Sequence, residues 1–226
     1  MDVFEAVDSR IACRWFLDKP VDPDIVRSLI AGAARAASNG NLQPWNVYAV
    51  TGAPLKEIKR QAADAIDKQD WRTFETEYRS LPEMMWEPYS SRSFQHGVEL
   101  YGALGTARED RAGRLEQIKR GYQFFNAPVG LFITIDRRLG PGQWADLGGY
   151  VHALAFLARG YGLDTCPQVA WIRMYKIVGA LLKFPPEQML FCGMAIGYGD
   201  RTHKANDFRS PRAELSEFCK FYGFDP

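Results

Sequence analysis

Two pairs of arginines are the residues of this chain best suited to bind an anion. Arg10 and Arg14 lie four residues apart in "SRIACRWF", and Arg209 and Arg212 lie three apart in "FRSPR". Guanidinium groups bind phosphate and carboxylate through paired hydrogen bonds. On a helix, Arg10 and Arg14 would share one face. A solvated basic turn and a common basic C-terminal loop fit the same spacings, so the residue types alone leave both interpretations open.

Polar side chains are concentrated in the stretch "SNGNLQPW", which covers residues 38–45. Each Asn or Gln amide offers both a donor and an acceptor, so it could bind the edge of a heteroaromatic ring. The alternative is a helix end followed by an Asx turn. That alternative explains Ser38 to Gly40 well, but it explains Asn41 and Gln43 less well.

A third candidate is "CPQVAW", residues 166–171, where a proline ends an extended piece and backbone N–H groups could face a ligand. A simple strand-to-helix corner is the alternative. The chain has no GxGxxG after a strand, no Walker loop, no GxSxG and no HExxH. Its four cysteines form no CxxC and its three histidines are scattered, so no zinc pattern is present. Without a nucleophile or a metal motif, an organic cofactor is the expected source of chemistry.

Composition limits the classes of protein further. The 226 residues suit one sizeable domain, or one domain with an excursion, and 28 basic against 27 acidic residues give a formal charge of +1. This charge indicates neither nucleic acid nor an anionic membrane as a partner. The N-terminus lacks the apolar core of a signal peptide, and no run approaches the roughly 18 apolar residues of a membrane span. We therefore expect a reduced, cytoplasmic protein.

Periodicity predicts the elements that must position these residues. Asp22-Pro23 is typical of a helix start, and apolar residues then recur on one face as far as about Ala37. Helices and strands alternate without a regular βαβ rhythm, which favours an α+β fold. The predicted helices are 22–37, 53–66, 97–121, 144–162, 172–184 and a short C-terminal one. The predicted strands are 46–52, 127–136 and 188–199, with a short extended piece at 163–171.

Residues 68–96 are aromatic, charged and poorly periodic, and they predict an excursion with one or two short helices. Trp86, Tyr89 and Phe94 in this excursion are candidates to stack on an aromatic molecule. A satellite hydrophobic cluster or a contact between subunits is an equally good interpretation.

Four ordered blocks of sequence resemble the FMN-dependent nitroreductase family. They are the N-terminal stretch from "SRIACRWF" to "SNGNLQPWNVYAVTG", then "NAPVGLFITID", then "GLDTCPQVAW", and finally "LFCGMAIGYGD" followed by "FRSPRAEL". The blocks cover nearly the whole chain apart from about 68–96. The resemblance implies that this segment is the substrate lid. "GPGQWADLG" is most similar to the nitrobenzoate-reductase-like branch.

The resemblance implies a single domain, 1–226, with a mixed central sheet flanked by helices. It also implies an intertwined homodimer with FMN at the subunit interface. By position, Arg10 and Arg212 would hold the FMN phosphate with help from Arg209, and Arg14 would lie near N1 and the C2 carbonyl of the ring. The partner subunit would contribute the polar residues Ser38, Asn39 and Asn41. The backbone of Gln168 and Val169 would face N5 and O4.

Two residues depart from the family pattern. Ile11 and Ala12 replace an arginine and a serine, so Ile11 could contact the cofactor only through its main chain, and Ala12 lacks a hydroxyl. A lost hydrogen bond to a charged group is worth roughly 1.5–3 kcal/mol. FMN binding should therefore be weaker, or compensated elsewhere.

The implied activity is a ping-pong cycle in which NAD(P)H reduces FMN and an aromatic acceptor then takes the electrons in the same pocket. No side chain is required as a general acid, so we predict no catalytic residue; Trp144 could lie near the flavin, although a core position is the better prediction. Two alternatives remain. One is a reductive dehalogenase or dehydrogenase on the same scaffold, and the other is a flavin-binding protein without turnover.

Overall fold

The computed structural model describes residues 1–224, so the last two residues of the predicted domain, 225 and 226, lie outside the described part. Residues 1–224 form eight α-helices around a four-stranded sheet. The helices are α1 Val3–Ser9, α2 Pro23–Ala33, α3 Gly52–Lys68, α4 Tyr89–Ala103, α5 Arg111–Gly121, α6 Pro141–Gly160, α7 Tyr175–Leu182 and α8 Leu215–Phe218. The strands are β1 Asn46–Thr51, β2 Val129–Asp136, β3 Asp164–Gln168 and β4 Gln188–Gly197.

The sheet has the strand order β1-β2-β4-β3, and its strands pair antiparallel. The resemblance implied a mixed sheet. Among the described residues, the parallel pairing in this sheet is one isolated bridge between Ala12 and Thr165. That bridge places the chain after α1 along the outer edge of β3. The edge strand is therefore covered by the segment that carries Arg10 and Arg14.

Helices cover both faces of the sheet because β2 is apolar on both faces. Leu131 and Ile133 point to one face and pack with Leu29 of α2 and Tyr150 of α6. Phe132 points to the other face and packs with a cluster that includes Trp171 and residues of α3 and α7. The result is a three-layer core in which α6 is the largest buried helix, as its apolar sequence predicts.

Several predicted boundaries are wrong. The single helix 97–121 is two helices, because the chain leaves α4 at a left-handed Gly105 (φ 68°) and α5 starts anew with the carboxylate of Asp110 as its cap. The helix predicted at 172–184 begins instead as a 3-10 turn, Val169–Met174, before α7. Within 68–96, the 3-10 turn at Trp71–Thr73 matches an expected short helix. α4 begins at Tyr89 and not at the predicted residue 97, so a long helix enters the excursion.

The arginines at 10 and 14 do not share a helical face. α1 ends at Ser9, Arg10 is its extended C-cap (ψ 126°), and the next residues are extended. No helix within residues 1–224 combines the length and apolarity needed to cross a membrane. In the same residues, His, Cys, Asp and Glu form no cluster of three or more that could hold a metal ion.

Candidate functional site

A pocket of about 740 Å³ brings both arginine pairs together. We call it the arginine pocket. Its walls come from α1, from the extended segment after it, from α4 and from the loop before α8. The residues that line it are Val3, Phe4, Val7, Asp8, Arg10, Ile11, Ala12, Arg14, His96, Phe208, Arg209, Ser210 and Arg212.

The arginine pocket is strongly cationic. It contains four guanidinium groups but only one carboxylate, that of Asp8, among its lining residues. Arg209 is partly engaged, because it donates to the carbonyl of Asp8 at 2.6 Å and lies 3.6 Å from its carboxylate. Within residues 1–224, Arg10, Arg14 and Arg212 form no ion pair. The pocket therefore has the charge and the donors to bind a multiply charged anion.

The backbone beside Arg14 is fixed by a buried amide. The side chain of Asn206 accepts a hydrogen bond from the Arg14 N–H at 2.8 Å and donates to the carbonyls of Trp15 and Asp200, each at 2.8 Å. Asn206 is only 6% exposed. It joins the C-terminal loop to the backbone at Arg14 and Trp15, so it ties together two of the segments that form the arginine pocket.

A buried carboxylate holds the same segment from its other side. Asp164 of β3 is 1% exposed and accepts hydrogen bonds from Arg159 at 3.0 Å and Arg201 at 2.6 Å. Arg159 also donates to the hydroxyl of Ser9, at the end of α1. Two guanidinium partners compensate the burial of the Asp164 charge. Sequence reasoning missed this network and the Asn206 contacts, because the pairs that reach the arginine segment, Arg159 with Ser9 and Asn206 with Arg14, are 150 and 192 residues apart.

His96 and Ser210 form a polar pair at the rim of the arginine pocket. Ser210 Oγ lies 3.2 Å from His96 Nδ1. Burial, and then the nearby charge of Arg14, lowers the pKa of His96; Glu99 opposes this shift and Arg212 adds to it. Neither residue of the pair was singled out from the sequence. His96 belongs to no recognisable motif, and Ser210 lies in the sequence between Arg209 and Arg212, whose charges drew attention first.

Cys166 lies close to the arginine pocket but is chemically inert. Burial raises the pKa of its thiol to about 11, although Arg14 and Arg10 both favour the thiolate. The nucleophile is the thiolate, so this buried thiol is unsuited to attack a substrate at neutral pH.

Ser38, Asn39 and Asn41 lie away from the arginine pocket of their own chain. They form a tight turn in which Ser38 Oγ accepts from the Gln43 N–H at 3.0 Å and the Asn39 N–H donates to Asp146 of α6 at 3.0 Å. Asn39 and Asn41 are exposed, and Asn41 has a left-handed φ of 56°. Downstream, Trp45 stacks on Tyr150 at 4.9 Å and anchors the turn into β1.

Gln168 and Val169 lie where β3 ends, three and four residues beyond the bridge to Ala12. Gln168 is 7% exposed and donates through Nε2 to the carbonyl of Gly121 at 2.6 Å. Its Oε1 atom is buried without a hydrogen-bond partner among residues 1–224. Val169 is 40% exposed and starts the 3-10 turn. These residues do not line the arginine pocket, but they continue the strand against which it is built.

The aromatic candidates of the excursion are exposed. Trp86 packs edge-on against Tyr89 at 5.5 Å, and both rings are more than half exposed. Phe94 lines a groove of about 670 Å³ that shares His96 and Ser210 with the arginine pocket. Trp144, in contrast, packs against Tyr78 and Phe191 in the core, as preferred from the sequence.

Comparison with known proteins identifies the family. The model of the nitroreductase family matches residues 7–198. The chain belongs to the nitroreductase family. It is 34% identical to the chloronitrobenzene nitroreductase of Comamonas testosteroni (96% of this chain, 95% of the relative). It is also 34% identical to the 4-nitrobenzoate reductase of Pseudomonas putida (99% and 97%). The resemblance seen in the sequence is thereby confirmed.

Solved structures confirm the nitroreductase fold as well. The crystal structure of the FMN- and NADPH-dependent nitroreductase NfnB from Sphigopyxis sp. strain HMH matches with a TM-score of 0.95 and 38% identity, covering 99% of this chain and 100% of that chain.

The residues of the arginine pocket suit the phosphate end of FMN. A phosphate monoester carries about −1.5 to −2 charges at neutral pH and offers three acceptor oxygens. The pocket supplies three guanidinium groups without an ion-pair partner in residues 1–224, together with one serine hydroxyl. Ile11 lines the pocket but is only 6% exposed, and its side chain packs in the core.

Proposed function

We propose that this chain is an FMN-dependent NAD(P)H oxidoreductase that reduces nitroaromatic or related aromatic acceptors by a ping-pong hydride mechanism. The observation that carries the proposal is the arginine pocket, a cationic cavity of about 740 Å³ in a chain of the nitroreductase family. The named reductases at 34% identity over nearly their full length support the substrate class.

In this proposal, Arg10, Arg209 and Arg212 bind the phosphate of FMN, and Arg14 lies beside the ring. FMN, when bound, supplies the hydride chemistry. A fixed guanidinium at Arg14 favours negative charge that develops next to it, since it is preorganised and needs no rearrangement. The hydrogen bond from the Arg14 N–H to Asn206 holds this residue in place. Gln168 and Val169 bring the end of β3 to the opposite edge of the ring.

The serine hydroxyl missing at Ala12 is replaced, in this proposal, by Ser210. Ser210 lines the same pocket as Ala12 and keeps its Oγ atom directed at His96. A serine hydroxyl has one donor and two acceptor lone pairs, so it can accept from a histidine N–H while it donates to a phosphate oxygen. Loss of the family serine then costs less FMN affinity than the roughly 1.5–3 kcal/mol of an uncompensated hydrogen bond.

The complete site requires a second copy of the chain. Ser38, Asn39 and Asn41 are suited to the polar edge of a flavin, yet they do not line the arginine pocket of their own subunit. A homodimer, in which each subunit offers this turn to its partner, accounts for the exposed polar turn.

Anaerobic reduction of the purified protein tests the proposed function. We expect yellow protein whose flavin absorbance bleaches when NAD(P)H is added and returns when a nitrobenzoate is added. Arg14→Ala should slow bleaching more than it weakens FMN binding, whereas Arg10→Ala should weaken FMN binding. Arg27→Ala, on the exposed face of α2, is the matched control and should change neither.

Three results would contradict the proposal. Yellow protein that NAD(P)H cannot bleach is a flavin-binding protein without turnover. Protein that is reduced but reoxidised by a halophenol and not by a nitroarene is a dehalogenase. If the Arg14→Ala variant loses FMN but its residual flavin is reduced at the normal rate, Arg14 serves to bind the cofactor and does not stabilise the charge that develops on the ring.

A further inference from the structure

We propose that a second cationic cavity, between α3, α4 and α5, binds the phosphates of the dinucleotide electron donor and makes the enzyme prefer NADPH. This inference rests on the proposed function and specifies its electron donor. The cavity has a volume of about 770 Å³, and we call it the basic pocket. Its lining comes from the end of α3, the 3-10 turn after it, α4 and α5, and includes both charged and aromatic side chains.

The acids in the basic pocket are already neutralised. The carboxylate of Asp67 pairs with Lys119 at 2.7 Å, and that of Asp70 pairs with Arg72 at 3.0 Å. Four cations lining the pocket remain without an ion pair in residues 1–224: Lys68, Arg108, Arg111 and Arg114. Four positive charges held around one cavity raise the local concentration of anions.

The number of cations favours a dinucleotide over an aromatic acid. NADPH carries about two charges on its diphosphate and about 1.5–2 more on its 2′-phosphate monoester. The four unpaired cations match this total, whereas a benzoate has a single carboxylate. NADH lacks the monoester, so it would leave part of the pocket's charge without a partner.

One side chain in the basic pocket has an unmet need for a hydrogen-bond acceptor. The guanidinium of Arg114 stacks over the ring of Tyr101 at 4.3 Å, and its Nε atom is buried without a partner among the described residues. A buried unpaired donor is unfavourable, and a phosphate oxygen would supply the missing acceptor. Trp71 and Tyr101 also give the basic pocket aromatic surface, which suits an adenine ring next to phosphates.

Two helices connect the basic pocket with the arginine pocket. On α4, His96 lines the arginine pocket and Tyr101 lines the basic pocket, about 7.5 Å further along the helix axis. On α5, Ile118 lines the basic pocket, and two residues later Arg120 stacks over Trp15 at 3.5 Å. Trp15 directly follows Arg14. Gly121, the last residue of α5, accepts a hydrogen bond from Gln168, whose backbone would face N5, the flavin atom that accepts the hydride. A donor whose nicotinamide lies near N5 would therefore find the basic pocket, on the same helix, beside it for its phosphates.

The test uses the FMN-loaded protein and the variant Lys68→Gln/Arg111→Gln, since Arg111 is exposed and its loss should leave the fold intact. Calorimetric titration with 2′,5′-ADP, which lacks nicotinamide, measures binding independently of turnover. We expect binding by the wild type and at least a tenfold weaker affinity in the variant, because each charge-assisted contact is worth about tenfold or more. Arg27→Gln is the control.

Steady-state kinetics gives the second measurement. The variant should show a KM for NADPH raised about tenfold or more, a much smaller change with NADH, and an unchanged kcat. Equal changes for the two dinucleotides would overturn the 2′-phosphate assignment. A raised KM for nitrobenzoate with unchanged NADPH kinetics would assign the pocket to the acceptor instead.

The two proposals can fail separately. If neither dinucleotide bleaches the flavin but 2′,5′-ADP binds through Lys68 and Arg111, the reductase function fails while the phosphate site stands. If the flavin is bleached normally and 2′,5′-ADP does not bind the wild type, the basic pocket is not the donor site.

Discussion

Asn206 supports the proposed cofactor site, although no sequence motif contains it. It is buried and makes three hydrogen bonds to main-chain atoms of Arg14, Trp15 and Asp200. Asn206→Ala would leave these groups unpaired in a buried place. We expect the free energy of unfolding to fall by about 1–3 kcal/mol, as measured by urea denaturation of the FMN-free protein.

The neighbouring Asp207 provides the control, because it is exposed on the same loop. Asp207→Ala should stay within about 0.5 kcal/mol of the wild type, as surface substitutions usually do. If both variants lose the same stability, the loop as a whole and not the Asn206 amide holds the segment.

His96 should make stability depend on pH in the mildly acidic range. Its pKa is lowered in the folded state by burial and by Arg14 and Arg212, against the opposing effect of Glu99. The unfolded chain binds a proton near pH 6.5, where the folded chain does not. The FMN-free protein should therefore lose stability as pH falls below about 6.5 towards the folded pKa.

Substitution of His96 isolates this contribution. His96→Gln should flatten the pH profile of urea unfolding between about pH 5.5 and 7.5, one unit either side of the usual histidine value. His152→Gln replaces an exposed histidine of α6 and should keep the wild-type profile. An unchanged slope in His96→Gln would show that other groups cause any acid destabilisation.

The packing between β4 and the 3-10 turn after β3 depends on a glycine. A Cβ atom on Gly193 would lie 2.4 Å from Cδ1 of Trp171, whose side chain is fully buried. Trp171 cannot move away, because it is enclosed by Tyr122, Phe124 and Phe132. Gly193→Ala should therefore destabilise the fold by about 1–3 kcal/mol through overpacking.

A second glycine separates this steric effect from the general effect of adding a methyl group. Gly102 in α4 is exposed, and a Cβ atom added there would meet no other atom within 4 Å. Gly102→Ala should stabilise by up to about 1 kcal/mol, because alanine favours helix more than glycine. Equal thermal midpoints for Gly193→Ala and the wild type would contradict the packing argument.

The elements with strong patterns were predictable from sequence, and the breaks between them were not. β2 and β4 are continuous apolar runs, and α6 is apolar on most of its faces, so burial alone identifies them. The break between α4 and α5 depends on Gly105 and on the cap at Asp110. Both lie in a polar stretch whose composition also suits an uninterrupted helix, so the local residues contain no decisive signal.

The candidate site was only partly predictable for a related reason. The arginines themselves were recognised by residue type, and the structure brings all four to one pocket. The residues that support them act over long separations in the sequence. Asn206 contacts Arg14 across 192 residues. Asp164 acts through Arg159, which contacts Ser9 across 150 residues. Such long-range pairing depends on how β3, α6 and the C-terminal loop meet, and periodicity has no information on that.

At the scale of the whole molecule, the surface contains more apolar side chains at the C-terminus than a monomer needs. The large apolar residues there are all more than half exposed: Leu215, Phe218, Phe221, Tyr222 and Phe224. Contiguous exposed apolar patches usually mark an interaction surface. The family resemblance implies that this segment wraps onto a second subunit, whose turn at Ser38 would complete the arginine pocket.

Charge placed in this tail tests the dimer together with its link to the cofactor. Phe218→Glu/Tyr222→Glu should give a monomer in light scattering and lose most bound FMN, because burying two carboxylates at an interface is costly. Leu81→Glu/Met84→Glu, at exposed apolar positions of the excursion, should remain dimeric and yellow.

A monomer that keeps wild-type FMN affinity would contradict a site shared by two subunits, since each arginine pocket would then be sufficient without Ser38, Asn39 and Asn41 of its partner. A tail variant that stays dimeric would instead place the subunit contact elsewhere on the chain.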